Sequence, residues 1–144
     1  MKALLISMFT ITTIFLASTG GYACEMNFNL LLPDGVTEEI LPGNNIFLSA
    51  GENYTLVVKF TPDHRKCVTP PEETIYLLME EKWKSSKDYL PLQLVSQGEW
   101  VLDSSQTWMQ EMSFTAVQNG SWELEIVRDC PKGGYDDFLT FHVQ

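Results

Sequence analysis

The chain is 144 residues long, 44% hydrophobic and 19% charged, with 19 Asp and Glu against 9 Lys and Arg and a formal net charge of −10 at pH 7. That length accommodates one domain with a sizeable core. Its acidity repels nucleic acid and anionic lipid head groups and so excludes nucleic acid as a partner.

The chain opens with Met1-Lys2-Ala3, an apolar run from Leu4 to Ala17, and small residues up to Gly21-Tyr22-Ala23. One positive charge, a short apolar core and small residues before a cleavage point form a secretory signal peptide, and the run is too short for a spanning helix of ~20 residues. Residues 1–23 are therefore expected to be removed, leaving 24–144 as one secreted or cell-envelope (periplasmic or extracellular) domain. Cys24 then stands at the new amino terminus. There it resembles the lipidated cysteine of bacterial lipoproteins: Ala23 fits that signal, while Tyr22 and Gly21 depart from it. Lipidation at Cys24 is one expectation, and a terminal thiol, free or paired with another chain, is the other. A lipid anchor would be the domain's sole link to a membrane.

The first strand is expected over Glu25–Leu32, closed by the turn Pro33-Asp34-Gly35, and a second over Asn45–Ser49. Tyr54, Leu56, Val58 and Phe60 then alternate with Thr55, Val57 and Lys59 until Thr61-Pro62-Asp63, the clearest strand of the chain. His64 to Glu73 holds Cys67 and the Pro70-Pro71 pair and reads as a loop. Thr74–Trp83 reads as a strand because β-branched and aromatic residues open it, although Leu-Met-Glu-Glu-Lys favours helix on propensity. Leu90–Val95, Trp100–Leu102 and Thr107–Ala116 follow, then a turn at Gln118-Asn119-Gly120. The last two strands, Trp122–Cys130 and Phe138–Val143, flank the Gly-rich turn Pro131-Lys132-Gly133-Gly134 as a hairpin.

Seven to nine short strands separated by turns at roughly ten-residue spacing resemble an immunoglobulin-like β-sandwich, an all-β antiparallel fold. That resemblance makes Tyr54–Phe60 strand B, Thr74–Trp83 C, Thr107–Ala116 E, Trp122–Cys130 F and Phe138–Val143 G. It also implies that the B–C and F–G loops share one pole. Cys67 lies beyond the end of B rather than in its middle, so the implied bridge is Cys67–Cys130, tying the two loops together and worth ~4 kcal/mol in the chain-entropy treatment.

No nucleophile motif, zinc-protease motif or phosphate-cradling loop is present, so no enzymatic activity, metal or cofactor is expected. His142 reads as a solvent-facing strand residue, and His64 with Cys67 lacks further metal ligands. Asp129, Asp136, Asp137, Asp63 and Glu72 could meet at the loop pole around Ca²⁺, but their spacing matches no EF-hand and solvated acidic loops are the simpler reading. Trp108 and Trp122 are expected in the core. Trp83 and Trp100, at strand ends beside polar runs, are candidate exposed anchors. Asn53-Tyr54-Thr55 and Asn119-Gly120-Ser121 fit the N-glycosylation triplet.

The function expected is that of a non-catalytic module presenting its loops to a protein or glycan partner. Tyr135 at the hairpin tip, with Lys132, Asp136 and Asp137, is the candidate contact set. The alternative is an inhibitor: Gly51-Glu52-Asn53-Tyr54-Thr55-Leu56, Phe114-x-Ala116 followed by Gly120, and the last hairpin are similar to chagasin-type inhibitors of cysteine proteases. The Asn-Pro-Thr-Thr-Gly loop motif of that family is missing between Phe60 and Thr74, and Arg128-Asp129-Cys130-Pro131 echoes its Arg-Pro-Trp-like motif only faintly.

Overall fold

A computed structural model describes residues 24–62 and 68–144, so residues 1–23, expected as a signal peptide, and His64 and Cys67 lie outside the described residues. Among the described residues eleven strands form: β1 (Cys24–Leu31), β2 (Thr37–Ile40), β3 (Asn45–Leu48), β4 (Asn53–Pro62), β5 (Ile75–Leu78), β6 (Glu81–Lys82), β7 (Leu92–Gln97), β8 (Val101–Leu102), β9 (Trp108–Ala116), β10 (Gly120–Arg128) and β11 (Tyr135–Val143). They make two sheets, β2-β1-β4-β9-β7 with β8 beside β9, and β3-β11-β10-β5-β6. Among the described residues the only helical turn is a 3₁₀ segment, Pro71–Glu73, with proline at its start where a missing N–H costs nothing.

The alternation seen in the sequence decides which side of each strand is covered. Tyr54, Leu56, Val58 and Phe60 of β4 are buried, as are Met112, Phe114 and Ala116 of β9, Leu124 and Ile126 of β10, and Leu139, Phe141 and Val143 of β11. These inner faces interdigitate as one core, because a sheet with a single apolar face must lay it against another. Phe114 is its centre: its ring stacks with Tyr54 at 5.7 Å and meets Trp83 and Phe141 edge-on at 5.5 and 5.9 Å. The order β1-β4-β9-β7 of one sheet faces β11-β10-β5 of the other across this core, as a two-layer β-sandwich.

Three details differ from the sequence expectation. Eleven strands appear because the two-residue pieces β6 and β8 and the four-residue β2 pair with longer neighbours. The sheets are antiparallel except for β3, which runs parallel to β11 with Phe47 opposite His142. Thr74–Trp83 is not one strand but a hairpin, β5 and β6 joined by Met79 and Glu80 with φ of 54° and 64°. Two consecutive positive φ values match the right-handed twist of the strands and reverse the chain in two residues, the geometry usually supplied by Asn-Gly.

Candidate functional site

The loop pole is organised around Arg128, the last residue of β10. Alternation puts it on the same face as Leu124 and Ile126, and it is 1% exposed. A buried guanidinium must replace its lost hydration with acceptors. It finds them in the backbone of the β4–β5 connection: Nη1 donates to Pro71 O at 3.2 Å and to Thr74 Oγ1 at 2.6 Å, and Nη2 to Thr69 O at 3.0 Å. Both nitrogens also reach Pro70 O at 3.4 Å. The guanidinium sits over the Phe60 ring, its Cζ 3.8 Å from the centroid, while Nε has no hydrogen-bond partner. Thr69 Oγ1 adds a bond to Asp129 O at 3.1 Å. One side chain thereby fastens the loop after β4 to the end of β10.

The four candidate contact residues do not share a face. Tyr135 is 6% exposed, opens β11 opposite Arg128 and packs on Phe28 of β1 with ring centroids 6.2 Å apart. It is a core aromatic and not the exposed tip expected from the sequence, because pairing to β10 begins at Tyr135 itself and leaves only residues 129–134 to the turn. Lys132 is exposed in that turn. Asp136 is exposed opposite Val127 on the outer face, whereas Asp137 is half-buried and its carboxylate accepts the Phe138 N–H at 2.9 Å. Lys132 and Asp136 thus remain at the surface of the pole.

Cys130 is buried beside the turn, and Cys24 is buried at the start of β1 opposite Pro62. Lipidation would require the Cys24 sulfur to leave that position. The expected Cys67–Cys130 bridge involves a residue outside the described set. Among the described residues, no group of three Asp, Glu, His or Cys side chains is placed to hold a metal ion, and Asp63 lies outside the described residues.

A cleft runs from this pole along the open edge between the sheets. Its first part, about 410 Å³, is lined by Glu72, Glu73, Tyr76, Trp83, Lys84 and Asp129 among others, and a second of about 490 Å³ continues past Glu99, Trp100 and Gln110. Trp83 and Trp100, expected as exposed anchors, are 3% and 8% exposed. The Trp83 indole N–H donates to Leu92 O at 2.7 Å, linking one sheet to the edge of the other. Trp108 and Trp122, expected in the core, pack against it while staying partly exposed. Below the cleft floor Tyr76 OH donates to Gln110 Oε1 at 2.9 Å and Gln110 Nε2 donates to Gly98 O at 2.8 Å. Burial pushes the Tyr76 phenol far above its ordinary value, with the Arg128 charge pulling partly back. The phenol is therefore a neutral hydrogen-bond donor across the physiological range.

Sequence reading placed Arg128 in the strand and gave it only a faint echo of an inhibitor loop motif, not a buried clamp. The available signal was its phase: a cation in register with two core residues two and four positions earlier.

No protein-family model matches the chain, and no curated protein matches it in sequence. Among solved structures, the solution structure of Amebosin is similar to it with a TM-score of 0.41, at 17% identity, covering 72% of this chain and 90% of that one.

Proposed function

We propose that the protein is a non-catalytic secreted or cell-envelope module of the immunoglobulin-like superfamily, presenting the β4–β5 and β10–β11 loops at one pole to a protein or glycan partner. The observation that carries this reading is the Arg128 clamp. A guanidinium with five hydrogen bonds into 69–74 holds one loop in a fixed relation to the other before any partner arrives. Such preorganisation lowers the ordering cost that weakens binding by flexible loops. No cofactor takes part in this reading.

The test is photocrosslinking in the native exporting cell, with a diazirine amino acid at Lys132 or Asp136 at this pole and at Gln118 at the opposite one. Adducts from the first two positions and none from the third support the reading. Adducts only from Gln118, or none at all, overturn it. Inhibition of a papain-like protease, lost on substitution of Lys132, would reassign the same pole to the inhibitor reading.

A further inference from the structure

The outer face of the second sheet, opposite to the face that carries Arg128, holds a groove of about 440 Å³. Its apolar lining is Leu77, Met79, Trp122 and Phe138, and its polar lining is Glu80, Glu123, Glu125 and Ser121. Met79 is 58% and Phe138 41% exposed, and Ile75 and Asp136 continue the same face beyond the groove. Strand register sets the arrangement. Lys82, Leu77, Glu125 and Phe138 form one row across β6, β5, β10 and β11, while Glu123 stands two residues earlier on β10. The Met79-Glu80 turn, with both residues at positive φ, bounds the groove at the end of the β5–β6 hairpin.

Two observations identify the occupant. Exposed large apolar side chains on one sheet face mark a contact surface. The charges that line the groove are of one sign: Lys82 stands at the β6 end of the row, outside the lining, and among the described residues none of Glu80, Glu123 and Glu125 is in an ion pair. A second copy of this chain would set carboxylate against carboxylate at a net charge of −10 each, and anionic lipid and nucleic acid are repelled in the same way. A cationic ligand gains on both counts, from the carboxylates and from the exposed ring of Phe138.

We propose that this groove binds an extended, cationic segment of a partner protein, with Lys or Arg at alternate positions. The spacing follows from the strand. Residues two apart in an extended chain are about 6.6–6.8 Å apart, so cations at i and i+2 of a segment lying along β10 fall in step with Glu123 and Glu125. This site is independent of the loop pole and stands or falls without it.

The test uses the secreted chain in a two-dimensional NMR titration with two capped hexapeptides of valine, threonine and two lysines. In one the lysines alternate and in the other they are adjacent. The expected result is saturable shift changes centred on Glu123, Glu125 and Phe138 for the alternating peptide, with affinity about tenfold weaker for the adjacent one and for Glu123→Gln/Glu125→Gln. Phe138→Ala, a surface substitution that leaves the core in place, weakens it as well. No saturable binding, equal binding of both peptides, or shifts spread over all acidic surfaces overturns the proposal. Dimerisation through this face in the absence of peptide does so too.

Discussion

A guanidinium 1% exposed has lost its water, and the cost is met only if its donors find acceptors in the protein. At Arg128 those acceptors are mostly carbonyls of a loop containing two consecutive prolines, a backbone that offers few donors of its own and is readily held from outside. Arg128→Met keeps the bulk and removes the donors, so it should cost about 3 kcal/mol or more in urea unfolding and lower amide protection across 69–74. Unchanged stability and protection would show that the loop holds itself. Arg128→Lys should recover only a fraction, since an ammonium has neither the planar fork nor the guanidinium's contact over Phe60. Gly134 supports the same corner: its φ is +57° and a Cβ there would run into the Arg128 carbonyl. Gly134→Ala is expected to cost about 2 kcal/mol, read by thermal unfolding, and a neutral result would mean that the turn has another conformation.

Among the elements, the β5–β6 hairpin is the clearest departure from local preference. Met79 and Glu80 occupy the left-handed region without the help of Gly or Asn, which costs roughly 1–2 kcal/mol per residue. The pairing of Leu78 with Glu81 leaves two residues for the reversal, so tertiary pairing overrides the preference. Met79→Asn with Glu80→Gly should therefore raise stability by about 1 kcal/mol while removing two groups from the outer groove. A double variant no more stable than the parent would argue against the turn geometry. The alternation Ile75, Leu77, Met79 against Tyr76, Leu78, Glu80 was legible as strand. The reversal was not, because no Asn-Gly or Asp-Gly marks it. β4, β9 and β10 were legible nearly to their ends, since each buries one full face and alternation over nine or ten residues admits a single phase, whereas β11 was read three residues short because Tyr135 follows a Gly-Gly turn.

At the scale of the molecule, burial of Tyr76 between the sheets links proton binding to folding. Its phenol titrates above the ordinary value when folded, so the native state keeps a proton that the unfolded chain releases. The associated stability is fully present below about pH 10 and declines as pH rises beyond it. Urea midpoints measured from pH 8 to 11.5 should fall more steeply for the natural chain than for Tyr76→Phe. Parallel curves would mean that the phenol is solvated. Tyr76→Phe also removes the donor to Gln110, so its midpoint at pH 8 should already be lower.

The sequence by itself determined the all-β class, the long strands and their inward faces, because a period of two written in apolar residues has one solution when one side must be covered. Only the tertiary structure decided which strand ends are covered. Tyr135, Trp83 and Trp100 sit beside polar or turn residues and read as exposed, yet the opposite sheet and its edge close over them. Arg128 reads as an interruption of the core pattern until the proline loop, more than fifty residues earlier in the chain, arrives to accept its hydrogen bonds. The outer groove likewise exists only once β5, β10 and β11 lie side by side. Alternation specifies a face from neighbours in the chain, whereas burial at an end and the meeting of charges depend on partners brought from far away in sequence.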